Sequence, residues 1–190
     1  MNKRQSYLSS EFETRSDEQT GQMILSGYFI KYDVETNIID NLFEKIDKQA
    51  VDNAIKDADI RALFNHDTSI VLGRTSNGTL SLVSDEVGLR GDIVINEDDP
   101  QAVSIYARIK RGDVSGCSFG FYITEIETQK RSDGSFLDII RGMELLEVSP
   151  CTFPAYPQTE IEARQQDFKN RKKRQLEYKK NKLKEKYNVK

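Results

Sequence analysis

Apolar positions change period several times along the chain, and each change marks an element. Met23–Val34 (MILSGYFIKYDV) is rich in Ile, Tyr, Phe and Val and alternates in part, which predicts a strand. Ile46, Ala50, Val51, Ala54, Ile55 and Ala58 follow a 3.6-residue period and predict an amphipathic helix over Glu44–Ala58. Ile60–Phe64 is a short apolar strand that runs out at Asn65-His66-Asp67. Ile70–Ser76 and Thr79–Val83 flank Asn77-Gly78, a strong two-residue hairpin signal. Leu89–Ile95 is a further strand. Asp98-Asp99-Pro100 then supplies a helix cap and a first-turn proline. Val103, Tyr106, Ala107 and Lys110 share a face of that helix, and Gly112 is its natural stop. Val114–Glu127 reads as a long strand, Ser132–Ser135 as a turn, and Phe136–Phe153 as extended chain before Pro154 and Pro157.

The sum is about seven strands with two helices inserted, a mainly β, α+β pattern. Helices interrupting an antiparallel series do not suggest βαβ winding. They suggest a barrel or strongly curved sheet with helices packed outside. The 190 residues suit one such domain with appendages. A polar arm occupies 1–22, the body 23–163 and a basic tail 164–190.

Charge sharpens that division. The net charge of −3 hides 12 Lys/Arg against 3 Asp/Glu from Arg164 to Lys190, leaving 16 against 28 in residues 1–163. The tail therefore stands at +9 and the body at −12. A basic tail on an acidic body points to an acidic partner surface, or to nucleic acid through the tail alone. No apolar run approaches the ~18–20 residues of a membrane span, and Met1–Ser10 has no apolar h-region, so neither a membrane nor a secretory signal is expected. Two Cys without a signal read as reduced thiols. One His nearly excludes a multi-histidine metal centre, and no glycine-rich phosphate loop, zinc spacing or calcium loop is present. No cofactor is expected.

Three segments could carry chemistry. His66 sits just past an apolar strand, at a rim where sites usually occur. In VSGCSFGF, alternation puts Phe119, Phe121 and Ile123 on one face and Ser118, Gly120 and Tyr122 on the other. Gly116 and Gly120 flank Ser118 on its own face and leave clearance for an approaching peptide. Ser115 has the opposite parity to Ser118, and Cys117 points with Phe119 toward the core. In RGMELLEVSP, Glu144 and Glu147 lie in an apolar stretch, and their odd spacing sends them to opposite faces of a regular strand. His, Ser and Glu together supply the three roles of serine hydrolysis. An imidazole takes the proton of a weakly nucleophilic hydroxyl, and a carboxylate orients the ring and stabilises the imidazolium.

At these residues the chain resembles the prohead proteases of tailed bacteriophages, capsid-maturation serine proteases related to the herpesvirus assemblins. GYFIKYD, LFNHDTSIVLGRT, IKRGDVSGCSFGF and ELLEVSPCTFPAYP carry the resemblance, over roughly residues 25–163. It implies a herpesvirus-protease-like, closed or nearly closed antiparallel β-barrel, with 23–163 as the protease domain. His66 then matches the catalytic histidine and Ser118 the nucleophile. Assemblins use a second His as third member, which this chain lacks; Glu147 takes that role, with Glu144 as rival. The implied activity is endopeptidase cleavage of scaffold protein, or of the scaffolding segment of the major capsid protein, and of the protease itself. Its implied place is the interior of the immature capsid in the host cytoplasm, with a homo-oligomer possible. The alternative is a non-enzymatic scaffold- or capsid-binding protein on the same fold.

Overall fold

The computed structural model describes residues 4–9, 12–16, 21–32, 34–39, 41–153 and 180. The expectation for the basic tail at 164–190 lies outside the described residues, Lys180 excepted. One compact unit runs over Met1–Ala155 and a second over Tyr156–Lys190.

Eleven strands and two α-helices are described in the first unit. In chain order they are β1 (Arg4–Ser9), β2 (Glu13–Ser16), β3 (Met23–Lys31), β4 (Thr36–Ile39) and β5 (Leu42–Ile46), then α1 (Lys48–Ala54), β6 (Arg61–Phe64), β7 (Asp67–Arg74), β8 (Leu80–Ser84) and β9 (Gly88–Val94). Helix α2 (Pro100–Arg111) precedes the two long strands β10 (Gly116–Lys130) and β11 (Phe136–Cys151). The mainly β, α+β reading therefore holds. The barrel does not: the strands form two sheets, neither closed on itself. One runs β1-β10-β11-β5-β4, with β6 also on β11 and β7 on β6; the other runs β2-β3-β9-β8. Nor is the larger sheet purely antiparallel, because β5 and β6 both pair parallel with β11. The count of about seven strands falls short for a physical reason. β1, β2 and β4 are edge strands of six residues or fewer, too short to show a sustained apolar alternation, and ladder hydrogen bonds hold them.

A single core joins the sheets and helices. It takes Leu25, Phe29 and Ile30 from β3, Leu89 and Ile93 from β9, Cys117, Phe119 and Phe121 from β10, and Leu145 and Val148 from β11. Burying each large side chain contributes about 1.5–3 kcal/mol. Asp99 caps α2 by accepting from the Gln101 N–H, Pro100 opens it, and Gly112 closes it at φ 87°. The buried face of α2 is Ala102, Ile105, Tyr106 and Ile109. That corrects the Val103–Tyr106–Ala107–Lys110 face, because the Ile105/Ile109 pair carries more apolar area.

Two further expectations change. The helix over Glu44–Ala58 is only Lys48–Ala54; Leu42–Ile46 is instead strand β5, paired with Phe136–Ile140. Asp47 marks the switch, since its carboxylate accepts from the Gln49 N–H and starts the helix there. Asn77-Gly78 does not join a hairpin either. A 3₁₀ turn over Thr75–Asn77, closed by Gly78 at φ 76°, sends β7 into one sheet and β8 into the other. The two strands cross closely at Gly73, where a Cβ would stand 2.8 Å from the Thr79 carbonyl oxygen.

Candidate active site

His66 occupies the second position of a two-residue turn between β6 and β7. Asn65 and His66 both have positive φ, 51° and 60°, the requirement of the turn type that matches strand twist. Asparagine tolerates this backbone region better than most residues; histidine there carries some strain. The turn is tied to the end of β11. The Asn65 N–H donates to the Pro150 carbonyl at 3.0 Å. The Asn65 side chain accepts from the Thr152 N–H at 2.9 Å and donates to Thr152 Oγ1 at 3.2 Å. The His66 N–H donates to Ser149 Oγ at 3.3 Å.

These ties swing the imidazole over β11. His66 Nδ1 lies 2.7 Å from Glu147 Oε1, with the two side chains only 9% and 3% exposed. Ser149 Oγ donates to the other carboxylate oxygen at 2.7 Å. An ionised carboxylate only accepts, so the network places a ring proton on Nδ1. Nε2 is itself buried.

Strand pairing sets Ser118 against this group. Ser118 faces Ser149 directly across the β10–β11 ladder, and Gly120 faces Glu147. Directly opposed residues project to the same side with Cβ atoms about 4.5–5.5 Å apart. Ser118, Glu147 and Ser149 therefore share one face, with Gly120, which has no side chain, opposite the carboxylate-bearing residue. Ser118 is fully buried. Cys117 lies in the core and donates to the Tyr28 carbonyl at 2.9 Å, while Ser115 is exposed and precedes the strand.

The two glutamates do not lie on opposite faces. The register slips between Gly120↔Glu147 and Phe121↔Leu145, which leaves Leu146 as an extra residue in β11. This bulge lets Leu145 and Val148, three apart, both face the core. It also brings Glu144, opposite Tyr122, onto the same face as Glu147. What separates them is position along the strand: Glu144 is exposed, whereas Glu147 is buried beside His66. Sequence reasoning missed Asn65 and Ser149. Ser149 had a readable signal, because it stands two positions from Glu147 and so shares its face.

A model of the caudovirus prohead serine proteases matches residues 10–174. The chain belongs to that family. The protease is thus a serine endopeptidase of capsid maturation, as its resemblance implied. Its fold is also similar to the solved structure of the bacteriophage T4 capsid assembly protease gp21, at 14% identity and a TM-score of 0.48, over 77% of this chain and 98% of that one. No curated protein sequence matches it.

Beside the site, burial pushes the Cys151 thiol up to about 12, helped by the negative charge of Glu147 and by Cys117. This neighbour is thereby kept neutral and unreactive.

Proposed function

We propose that Ser118 is the nucleophile, His66 the general base and Glu147 the orienting carboxylate of this protease. The observation that carries the reading is the buried 2.7 Å contact of His66 Nδ1 with Glu147 on the face that Ser118 shares. Ser118 Oγ attacks the scissile carbonyl carbon as His66 Nε2 takes its proton. Glu147 holds the Nδ1–H and stabilises the imidazolium. The imidazolium then protonates the departing amine, which leaves an acyl ester on Ser118. A water molecule, deprotonated by the same nitrogen, hydrolyses that ester and restores the serine.

The substrates in this reading are the scaffold protein, or the scaffolding segment of the major capsid protein, and the protease's own chain, cut inside the immature capsid in the host cytoplasm. The +9 tail docks the protease on acidic scaffold during assembly. The test is co-expression of Ser118→Ala with the capsid protein. Loss of capsid-protein shortening with assembly intact supports the assignment; continued shortening moves the nucleophile elsewhere.

A further inference from the structure

Strand β1 occupies the place beside the nucleophile that an extended peptide would take. It pairs antiparallel with Gly116–Phe121, and its Tyr7 stands opposite Ser118. The far side of β10 belongs to β11, so β1 holds the only other edge of the strand that carries Ser118. All six residues of that stretch of β10 are buried. Two features mark β1 as an occupant rather than a foundation of the fold. Among the described residues it is the last strand of its sheet, paired on one side. It also lies outside the segment that matches the family, which begins at residue 10, after β1 has ended at Ser9.

A free edge offers unpaired N–H and C=O groups, and an extended peptide adds to it as a strand. A peptide lying there would run alongside the strand that carries Ser118, next to the face on which its hydroxyl stands. It would need the same backbone groups of Gly116–Phe121 that β1 now uses. The two cannot be bound together. We propose that β1 is a cis-acting plug: the chain's own residues 4–9 fill the substrate edge of β10 and hold the protease latent until β1 is withdrawn. This rests on Ser118 as nucleophile.

The population arithmetic sets the expected size. A tethered segment acts at an effective concentration on the order of 1 mM. If the free segment binds with a Kd of about 0.1 mM, the edge is closed in about ten molecules for each open one. Access to Ser118 then falls about tenfold, in proportion to the open fraction.

The experiment uses the full chain and its Ser6→Pro/Tyr7→Pro variant. Adjacent prolines remove one ladder-facing N–H whichever way β1 is pleated, and so release the strand. Three quantities are read: amide hydrogen exchange of residues 116–121, fluorescence anisotropy of a fluorescein-labelled Arg-Gln-Ser-Tyr-Leu-Ser peptide, and the rate of Ser118 labelling by an alkyl fluorophosphonate. The expected result is faster exchange in the variant and peptide binding to it near 0.1 mM, at least about tenfold weaker to the parent. Ser118 labelling should be about tenfold faster in the variant and slowed again by added peptide. Unchanged exchange, equal peptide binding by both proteins, no binding by either, or an unchanged or lower labelling rate overturns the plug. If Ser118 is labelled in neither protein while exchange and peptide binding behave as expected, the nucleophile assignment has failed and the strand exchange stands.

Discussion

Ser149→Ala tests whether the site works as a geometric unit. Ser149 touches no peptide in the proposed mechanism. It acts through two others, donating to Glu147 Oε2 at 2.7 Å and accepting from the His66 N–H at 3.3 Å. The position is fully buried. Alanine removes a hydrogen bond to a carboxylate, which is worth about 1.5–3 kcal/mol. The longer bond from His66 adds at the weak end of the range. If most of that loss is felt when the imidazolium forms, kcat falls about 10- to 100-fold, since 1.36 kcal/mol is tenfold in rate. KM should hold, because no substrate contact is lost. The assay is steady-state cleavage of a peptide spanning a capsid-protein cleavage site, with thermal melting measured in parallel. Ser149→Thr keeps the hydroxyl and should recover most of kcat, at some cost in melting temperature from its extra methyl group. A cycle with Glu147→Gln should show coupling of about 0.5–3 kcal/mol. A normal kcat in a protein that merely melts earlier would refute the positioning role, as would strict additivity with Glu147→Gln.

Two further outcomes can be measured. Glu147→Gln should lower kcat about 10³- to 10⁴-fold, as expected for losing the carboxylate of a triad, while Glu144→Gln, at an exposed position, stays within about twofold; the same peptide assay ranks them, and equal losses would undo the assignment. Stability should decline with alkali on account of Cys151, whose thiol rises from an ordinary 9.0 to about 12 in the folded chain. Above pH ~9 the unfolded chain releases that proton and the folded one keeps it, so stability falls by up to about 1.4 kcal/mol per pH unit as pH climbs toward 12. Urea midpoints from pH 8.5 to 10.5 should therefore slope less in Cys151→Ala than in the parent, and equal slopes would count against the buried neutral thiol.

What local residues determine was readable in advance, because it depends on neighbours a few positions apart. Side-chain alternation in β10 assigns Phe119 and Phe121 to the core and Ser118 to the opposite face. Asp99, Pro100 and Gly112 bound α2, since the unsatisfied groups of a helix end are met by adjacent residues. His66 at the end of an apolar strand could be singled out as the chain's one imidazole. The tertiary structure alone decided whatever depends on a distant partner. Glu44–Ile46 opens the stretch whose spacing predicts a helix, yet it belongs to β5, which pairs with β11 some ninety residues away. Asn77-Gly78 has hairpin chemistry, yet its flanking strands find separate sheets. β1 and β2 are too short to show a sustained apolar alternation, yet they close sheet edges. The bulge at Leu146 is the sharpest case. No local rule marks it, yet one extra residue re-phases β11 so that Leu145 and Val148 both reach the core while Glu147 and Ser149 face His66. Register is a property of two strands together, and one strand's sequence cannot state it.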